Sequence, residues 1–212
     1  IYLPIHFQKD GLGFNRKVNF SFGSWQKEVS IQFNEDLPNE TIGLSESLRS
    51  EVFIPTELSY QINISENSVS LGPVILYLLP RRSMKRLDEL KKRIEQNVSL
   101  NGIIIISTVS KIDTAIQQIK GYYFQPRTEA TEAKWKSGTF HYPDVIFKRV
   151  TVPQKVNQHL FEQMNGRIFN SHYFNKWEMW EWLSPNEQIR KHLPETQEFY
   201  SMAKLKEMLV KF

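Results

Sequence analysis

Gly72-Pro73-Val74-Ile75-Leu76-Tyr77-Leu78-Leu79 is the stretch on which the fold turns. Every position from 74 to 79 is apolar. A strand with one wet face alternates apolar and polar residues, so an unbroken run of this length predicts a strand covered on both faces. Gly72-Pro73 places a sharp turn at its entry. Downstream, Ser83 is a plausible helix N-cap, and Met84, Leu87, Leu90, Ile94 and Val98 follow at helical spacing. Asn101-Gly102 ends that helix, because both residues tolerate the left-handed cap conformation. Residues 103–106, all Ile, predict a second buried strand. Ser110 and Asp113 have capping-box-like spacing and predict a helix with Ile112, Ala115, Ile116 and Ile119 inward, closed by Gly121. Tyr122-Tyr123-Phe124 is then a third strand, and Asp144-Val145-Ile146-Phe147 a fourth. Strand–helix alternation of this kind predicts a parallel sheet with right-handed crossovers.

Upstream the period changes. Val18-Asn19-Phe20-Ser21-Phe22, Val29-Ser30-Ile31-Gln32-Phe33 and Tyr60-Gln61-Ile62-Asn63-Ile64 alternate apolar and polar, the mark of half-buried strands. Turn clusters separate them, at Phe22-Gly23-Ser24, at residues 34–39 and at residues 65–68. Leu44-Ser45-Glu46-Ser47-Leu48 predicts one short helical turn. Closely spaced short strands point to a small antiparallel sheet or barrel. Charge changes sign at the same place. Residues 1–80 carry 5 Lys/Arg against 9 Asp/Glu, and the remainder carries 22 against 14. A switch in net charge hints at a domain boundary.

From residue 153 on, helical spacing dominates. Val156, Leu160, Phe161 and Met164 form one stripe. Asn175 caps a helix carrying Trp177, Trp180 and Leu183. Ser184-Pro185-Asn186-Glu187 combines an N-cap Ser, Pro at the first helical position and Glu three after the cap. Ser201 caps a last helix with Met202, Leu205, Leu209 and Phe212. The fold class is therefore α+β. A small β-rich domain (1–72) is followed by a Rossmann-like α/β domain (73–152) and a C-terminal helical segment (153–212).

Composition narrows the function. Of 212 residues, 40% are hydrophobic and 24% charged, ordinary values for a globular chain. Zero Cys removes disulfides, thiolate catalysis and Cys-based zinc sites together, and suits a cytoplasmic address. No apolar run approaches the roughly 18 residues a membrane helix needs. No signal-peptide pattern opens the chain, and the absence of an initiator Met leads us to expect further residues in front. The helix after Ser83 carries Lys85, Arg86, Lys91, Lys92 and Arg93 beside Arg81 and Arg82. A basic face of this kind can meet nucleic acid. Asp88, Glu89 and Glu95 are interleaved with it, which favours an ordinary solvated face. His6, His141, His159, His172 and His192 have no metal-ligand spacing among them. Gly11-Leu12-Gly13 stands alone and reads as a turn. No phosphate-cradling Gly loop and no nucleophile elbow is present. Trp177 and Trp180 share a helical face, which is more often packing than a stacking platform.

Three stretches, in order, resemble the YheC/YheD-type ATP-grasp family of endospore coat-associated proteins. The first is Leu71-Gly72-Pro73-Val74-Ile75, similar to the family's passage from its β-rich region into its first parallel strand. The second is residues 142–150, similar to a Pro-Asp-Val-Ile-Tyr-Asn-Arg pattern. The third comprises Ile168-Phe169-Asn170, Asn175-Lys176-Trp177-Glu178 and Leu193-Pro194-Glu195-Thr196. The strand after Pro73 departs from the family in lacking a Gly, and Lys148 stands where the family has Asn. The resemblance implies that the α/β domain is of the pre-ATP-grasp kind and that residues 153–212 lead into an ATP-grasp domain. It implies ATP and Mg²⁺ as cofactors of the parent protein, with Lys176 and Asn175 as nucleotide-binding residues. Gly72, Asp144 and Arg149 become substrate-facing candidates. ATP-grasp chemistry phosphorylates a carboxylate and lets an amine attack the acyl phosphate, with Mg²⁺ bridging the phosphates. This sequence stops before the family's phosphate-binding strand and metal carboxylates. The expectation is a non-catalytic N-terminal portion of an ATP-dependent carboxylate–amine ligase-like protein, with spore coat proteins and the ATP-grasp domain as partners. The alternatives are a non-enzymatic coat or interaction module and a basic nucleic-acid-binding domain.

Overall fold

A computed structural model describes residues 1–10, 16–95, 100–129, 131–171 and 174–211. The predicted turn at Gly11-Leu12-Gly13, and Val98, His172 and Phe212, lie outside the described residues. The chain divides into two compact units, Ile1–Ser171 and His172–Phe212. The first runs, in order, through β1 (Tyr2–Pro4), β2 (Lys17–Phe22), β3 (Trp25–Ser30), β4 (Gln32–Asn34), α1 (Glu46–Glu51), β5 (Gln61–Ile64), β6 (Ser68–Gly72), β7 (Val74–Leu78), α2 (Leu87–Glu95) and β8 (Ile103–Ser107). It continues through β9 (Ile112–Asp113), β10 (Gln118–Gln125), β11 (Lys134–His141), β12 (Val145–Lys148), α3 (Gln154–Gln163) and β13 (Ile168–Phe169). The second unit holds α4 (Lys176–Leu183), α5 (Glu187–Arg190) and α6 (Met202–Lys211). The architecture is mixed α and β.

Among the described residues, β3-β2-β6-β5 form a four-stranded sheet in that order, and β1 pairs with β4. The alternation read in the sequence is real: Val18, Phe20 and Phe22 of β2 are buried, while Lys17 and Asn19 face water. The sheet is mixed rather than antiparallel throughout, because β2 and β6 run parallel. The chain then leaves β6 and enters β7 with only Pro73 between them, across a cis Gly72–Pro73 bond. β7 sits inside a seven-stranded sheet of order β11-β10-β8-β7-β12-β13, with β9 paired to β10.

β7 is covered on both faces, as its unbroken apolar run requires. Val74, Leu76 and Leu78 point into a core that also contains Phe20 and Val69 of the other sheet, so one cluster serves both sheets. Each such fully buried aliphatic side chain is worth about 1.5–3 kcal/mol. On the opposite face, Ile75 and Tyr77 lie with Leu90 and Ile94 of α2 around a cavity of about 330 Å³. β7 pairs in parallel with β8 and with β12, and β12 in parallel with β13.

Three local expectations fail for identifiable reasons. The helix predicted from Ser110 does not form. The Asp113 Oδ1 accepts hydrogen bonds from the backbone N–H of Ala115 (3.0 Å) and Ile116 (3.4 Å), closing a turn instead of capping a helix. Gln117 follows in the left-handed region at φ 52°. The chain reverses there, so Ile119 pairs with Ile112 across an antiparallel ladder. Residues 122–124 therefore lie in β10, which runs antiparallel to β8, and the third parallel strand is β12. Ser83 is not a cap, since a 3-10 helix (Arg81–Arg86) begins behind Pro80 and runs on into α2. In the second unit Ser184 closes α4, and Asn186 caps α5 by accepting from the N–H of Gln188 and Ile189.

Candidate functional site

Gly72 and Asp144 meet at the amino ends of β7 and β12. The Asp144 Oδ2 accepts a 2.7 Å hydrogen bond from the Val74 N–H, and the Asp144 N–H donates to the Val74 carbonyl at 2.8 Å. A Cβ on Gly72 would stand 3.0 Å from that same Oδ2, so a larger residue would press the carboxylate away from Val74 by a few tenths of an ångström. Burial raises the carboxyl pKa of Asp144. The Val74 hydrogen bond and the Arg167 charge pull it back only in part. The geometry gives Asp144 the work of lacing two parallel strands together.

Arg149 lies at the other end of the same strands. Its N–H donates to the Leu78 carbonyl at 2.9 Å, and its exposed side chain borders the cavity under α2. β7 has five residues, so at about 3.3 Å per residue the two ends are roughly 16 Å apart. The three substrate-facing candidates thus do not form one site.

Beside Arg149, Lys148 is buried. Its Nζ donates to the Asn157 Oδ1 of α3 at 2.9 Å and to the Ser171 carbonyl at 2.7 Å, and burial lowers its pKa. The Lys that departs from the family pattern is therefore a structural tie between β12, α3 and residue 171. Nearby, the Tyr142 hydroxyl is 3.1 Å from His159 Nε2, and burial, with the charge of Asp113, pushes the phenol up to about 12.

In the second unit, Asn175 and Lys176 open α4. Asn175 makes a full capping box: its Oδ1 accepts from the Glu178 N–H at 2.9 Å, and its own N–H donates to Glu178 Oε2 at 2.8 Å. The Asn175 carbonyl-type oxygen is thereby used by the helix, while Lys176 at the first helical position is exposed. Trp177 and Trp180 stack on each other at 5.1 Å with planes 14° apart. Among the described residues, no cluster of three His, Asp or Glu is placed to hold a metal ion, and no helix is long and apolar enough to cross a membrane.

The sequence reading missed a cleft at the carboxyl ends of β7 and β8. It encloses about 630 Å³ and is bordered by Arg81, Ser110, Lys111 and Lys120. Arg81 was legible as part of a basic run. Lys111 and Lys120 were hidden by the mistaken helix, which was placed where a hairpin brings both toward one cleft.

Two comparisons with known proteins bear on this geometry. Residues 165–212 match the YheC/D like ATP-grasp family. The chain is also 21% identical to the endospore coat-associated protein YheD of Bacillus subtilis (strain 168), over 93% of this chain and 44% of that protein. The chain thus spans less than half the length of this relative. Both findings bear out the resemblance to YheC/YheD-type ATP-grasp proteins.

Proposed function

We propose that this chain serves as the N-terminal, non-catalytic portion of an ATP-grasp protein of the carboxylate–amine ligase-like kind, associated with the spore coat. The observation that carries this reading is the match of residues 165–212 to the YheC/D like ATP-grasp family, a segment that opens with the last of four adjacent parallel strands. In this reading β7, β8 and β12 with α2 and α3 make a Rossmann-like pre-ATP-grasp module over residues 73–152 and the start of the next segment. Residues 1–72 form its β-rich companion, and residues 153–212 begin the ATP-grasp domain.

The roles of individual residues follow from their chemistry. Lys176 is exposed at the first turn of α4, and no acidic partner is found for it among the described residues. An ammonium gains nothing from the positive end of a helix dipole. A phosphate there is favoured by the dipole, the first-turn N–H groups and the Lys charge together. Lys176 is thus suited to the phosphates of ATP, with Asn175 fixing the helix start. ATP, when bound, supplies the phosphoryl group. Mg²⁺ finds no cluster of acidic ligands among the described residues, so we assign none of them to it. Arg149, exposed at the carboxyl edge of the sheet, is the better of the substrate-facing candidates. Gly72 and Asp144 support it from the far end.

A second reading is favoured by a specific observation. Trp182 is 60% exposed, Tyr200 87% and Val210 90%, which is apolar surface suited to a protein partner such as a coat component. The separating experiment measures ATP-analogue affinity and ADP release in the full-length protein, with and without Lys176→Ala. Nucleotide binding that Lys176→Ala weakens about tenfold supports the ligase-like reading. Absence of any nucleotide binding by the folded full-length protein leaves the interaction module.

A further inference from the structure

Three cations gather around the cleft at the carboxyl ends of β7 and β8. Arg81 enters it from the turn after β7, Lys111 from the turn after β8, and Lys120 from β10. Among the described residues, no acidic side chain borders the cleft. Among the described residues, no carboxylate lies within 4 Å of any of these three cations. Some other cations of the first unit do have carboxylate partners. Arg16 pairs with Glu66, Lys17 with Glu28, Lys27 with Glu51 and Lys136 with Glu57. Three unpaired positive charges around one concavity repel each other and focus a positive potential into it.

Hydroxyl groups complete the lining. Thr108 and Ser110 share a hydrogen bond of 3.2 Å, which uses one of their two protons and leaves the other to be donated. Thr139 faces Lys120 directly across the β10–β11 ladder. Met84 adds an apolar wall. A volume of about 630 Å³ is several times what a bare oxyanion needs and falls in the usual range for small-molecule sites. The position agrees with where open sheets of parallel strands receive ligands, beyond the carboxyl ends of their strands.

We propose that this cleft binds a small organic molecule carrying a doubly charged oxyanion. Arg81, Lys111 and Lys120 neutralise its charge, Thr108, Ser110 and Thr139 hydrogen-bond its oxygens, and Met84 contacts its carbon portion. The shared chemistry is a dianion that either a phosphomonoester or a dicarboxylate supplies. Arg fits both bidentately, and the two Lys act as point charges. The site does not depend on the ATP-grasp reading, since none of these residues belongs to the segment that matches that family.

The test is calorimetric titration of the 212-residue chain with inorganic phosphate, glycerol phosphate and glutarate, with glycerol as the neutral control. Amide-shift mapping accompanies each titration. We expect saturable binding of at least one dianion and none of glycerol, with shifts concentrated at residues 107–111 and 120–122. Arg81→Gln, Lys111→Gln and Lys120→Gln should each weaken it about tenfold. Lys85→Gln and Lys134→Gln, exposed cations outside the cleft, should leave it unchanged. All five replace exposed side chains, and an unaltered melting temperature checks their folding. Preference for glycerol phosphate over glutarate names the phosphomonoester as the source, and the reverse names the dicarboxylate. No saturable binding of any dianion in the millimolar range overturns the proposal. So does an equal loss in the Lys85 and Lys134 variants, which would mean diffuse surface charge. Shifts that map elsewhere on the unmodified chain overturn it independently of any variant.

Discussion

Two carboxylates in the first unit respond to acid in opposite directions. Asp144 is raised by burial, and its hydrogen bond from Val74 offsets this only in part. A carboxyl group raised on folding binds a proton more readily in the folded state. Its contribution to stability is complete below its unfolded pKa and is lost as pH rises through the folded value. Glu57 is the reverse case. Burial alone would raise it, but hydrogen bonds from Lys136 Nζ (2.6 Å) and the Tyr123 hydroxyl (2.7 Å) together hold it below the ordinary range. Its contribution is present above the unfolded pKa and disappears as pH falls through the folded one. Glu57→Gln should therefore lower stability at neutral pH, and the deficit should vanish in acid. Asp144→Asn keeps an oxygen for the Val74 N–H and removes the buried charge, so it should flatten the loss of stability seen as pH rises through the carboxylate range. Urea unfolding from pH 3 to pH 7 checks both. A Glu57→Gln deficit that persists unchanged at the acid end would mean that packing, not charge, is what Glu57 supplies.

At the scale of elements, runs of apolar residues were legible and reversals were not. β7 and β8 are continuous aliphatic stretches, and a strand buried on both faces is the simplest use of them. The α4 cap was legible because its signal is local: Asn175 and Glu178 stand three apart and bond reciprocally. Asn175→Ala should accordingly cost about 1 kcal/mol, and faster hydrogen exchange in the first turn of α4 should show it. Residues 110–120 were illegible because Ile112, Ala115, Ile116 and Ile119 satisfy helical spacing as well as a hairpin's. A three-residue Asx turn at Asp113 decided between them, and periodicity does not weigh such turns. The misreading moved Gly121 from the middle of a strand to a helix end and concealed the cleft. In the strand, Gly121 is fixed by its neighbours. A Cβ there would stand 2.7 Å from Ile105 Cγ2 and 2.9 Å from the Ile106 carbonyl oxygen, which is backbone and cannot swing away. Gly121→Ala should therefore cost about 1–3 kcal/mol through overpacking. The denaturation midpoint should fall with an unchanged slope. A midpoint equal to the parent's would place β10 farther from β8 than described here.

For the whole molecule, the distribution of buried side chains predicts how the chain divides on truncation. The hydrophobic cluster begins at Ile1 and ends at Ile168, and it holds both sheets and α3. It includes fully buried Phe20, Leu76, Ile105 and Ile146, drawn from four different strands. A chain cut after Ser171 keeps every one of those residues, and also the Ser171 carbonyl that accepts from Lys148 Nζ. Among the described residues of 172–212, none is buried. Their helices α4, α5 and α6 span 8, 4 and 10 residues. Helices shorter than about 12–15 residues are marginal in water without packing, because nucleation costs more than so few hydrogen bonds return. The 1–171 fragment should therefore unfold in one cooperative transition, with a melting temperature within about 4 °C of the parent chain. The isolated 172–212 peptide should show little helix by circular dichroism at 25 °C. The sequence places its main charge change near residue 80, inside the first unit, where a split would cut through a shared core. A fragment ending at residue 80 should accordingly fail to fold, because Val74, Leu76 and Leu78 would lose their partners on β8 and β12. Should that short fragment fold cooperatively while 1–171 does not, the core would have to be divided at β7 and not at Ser171.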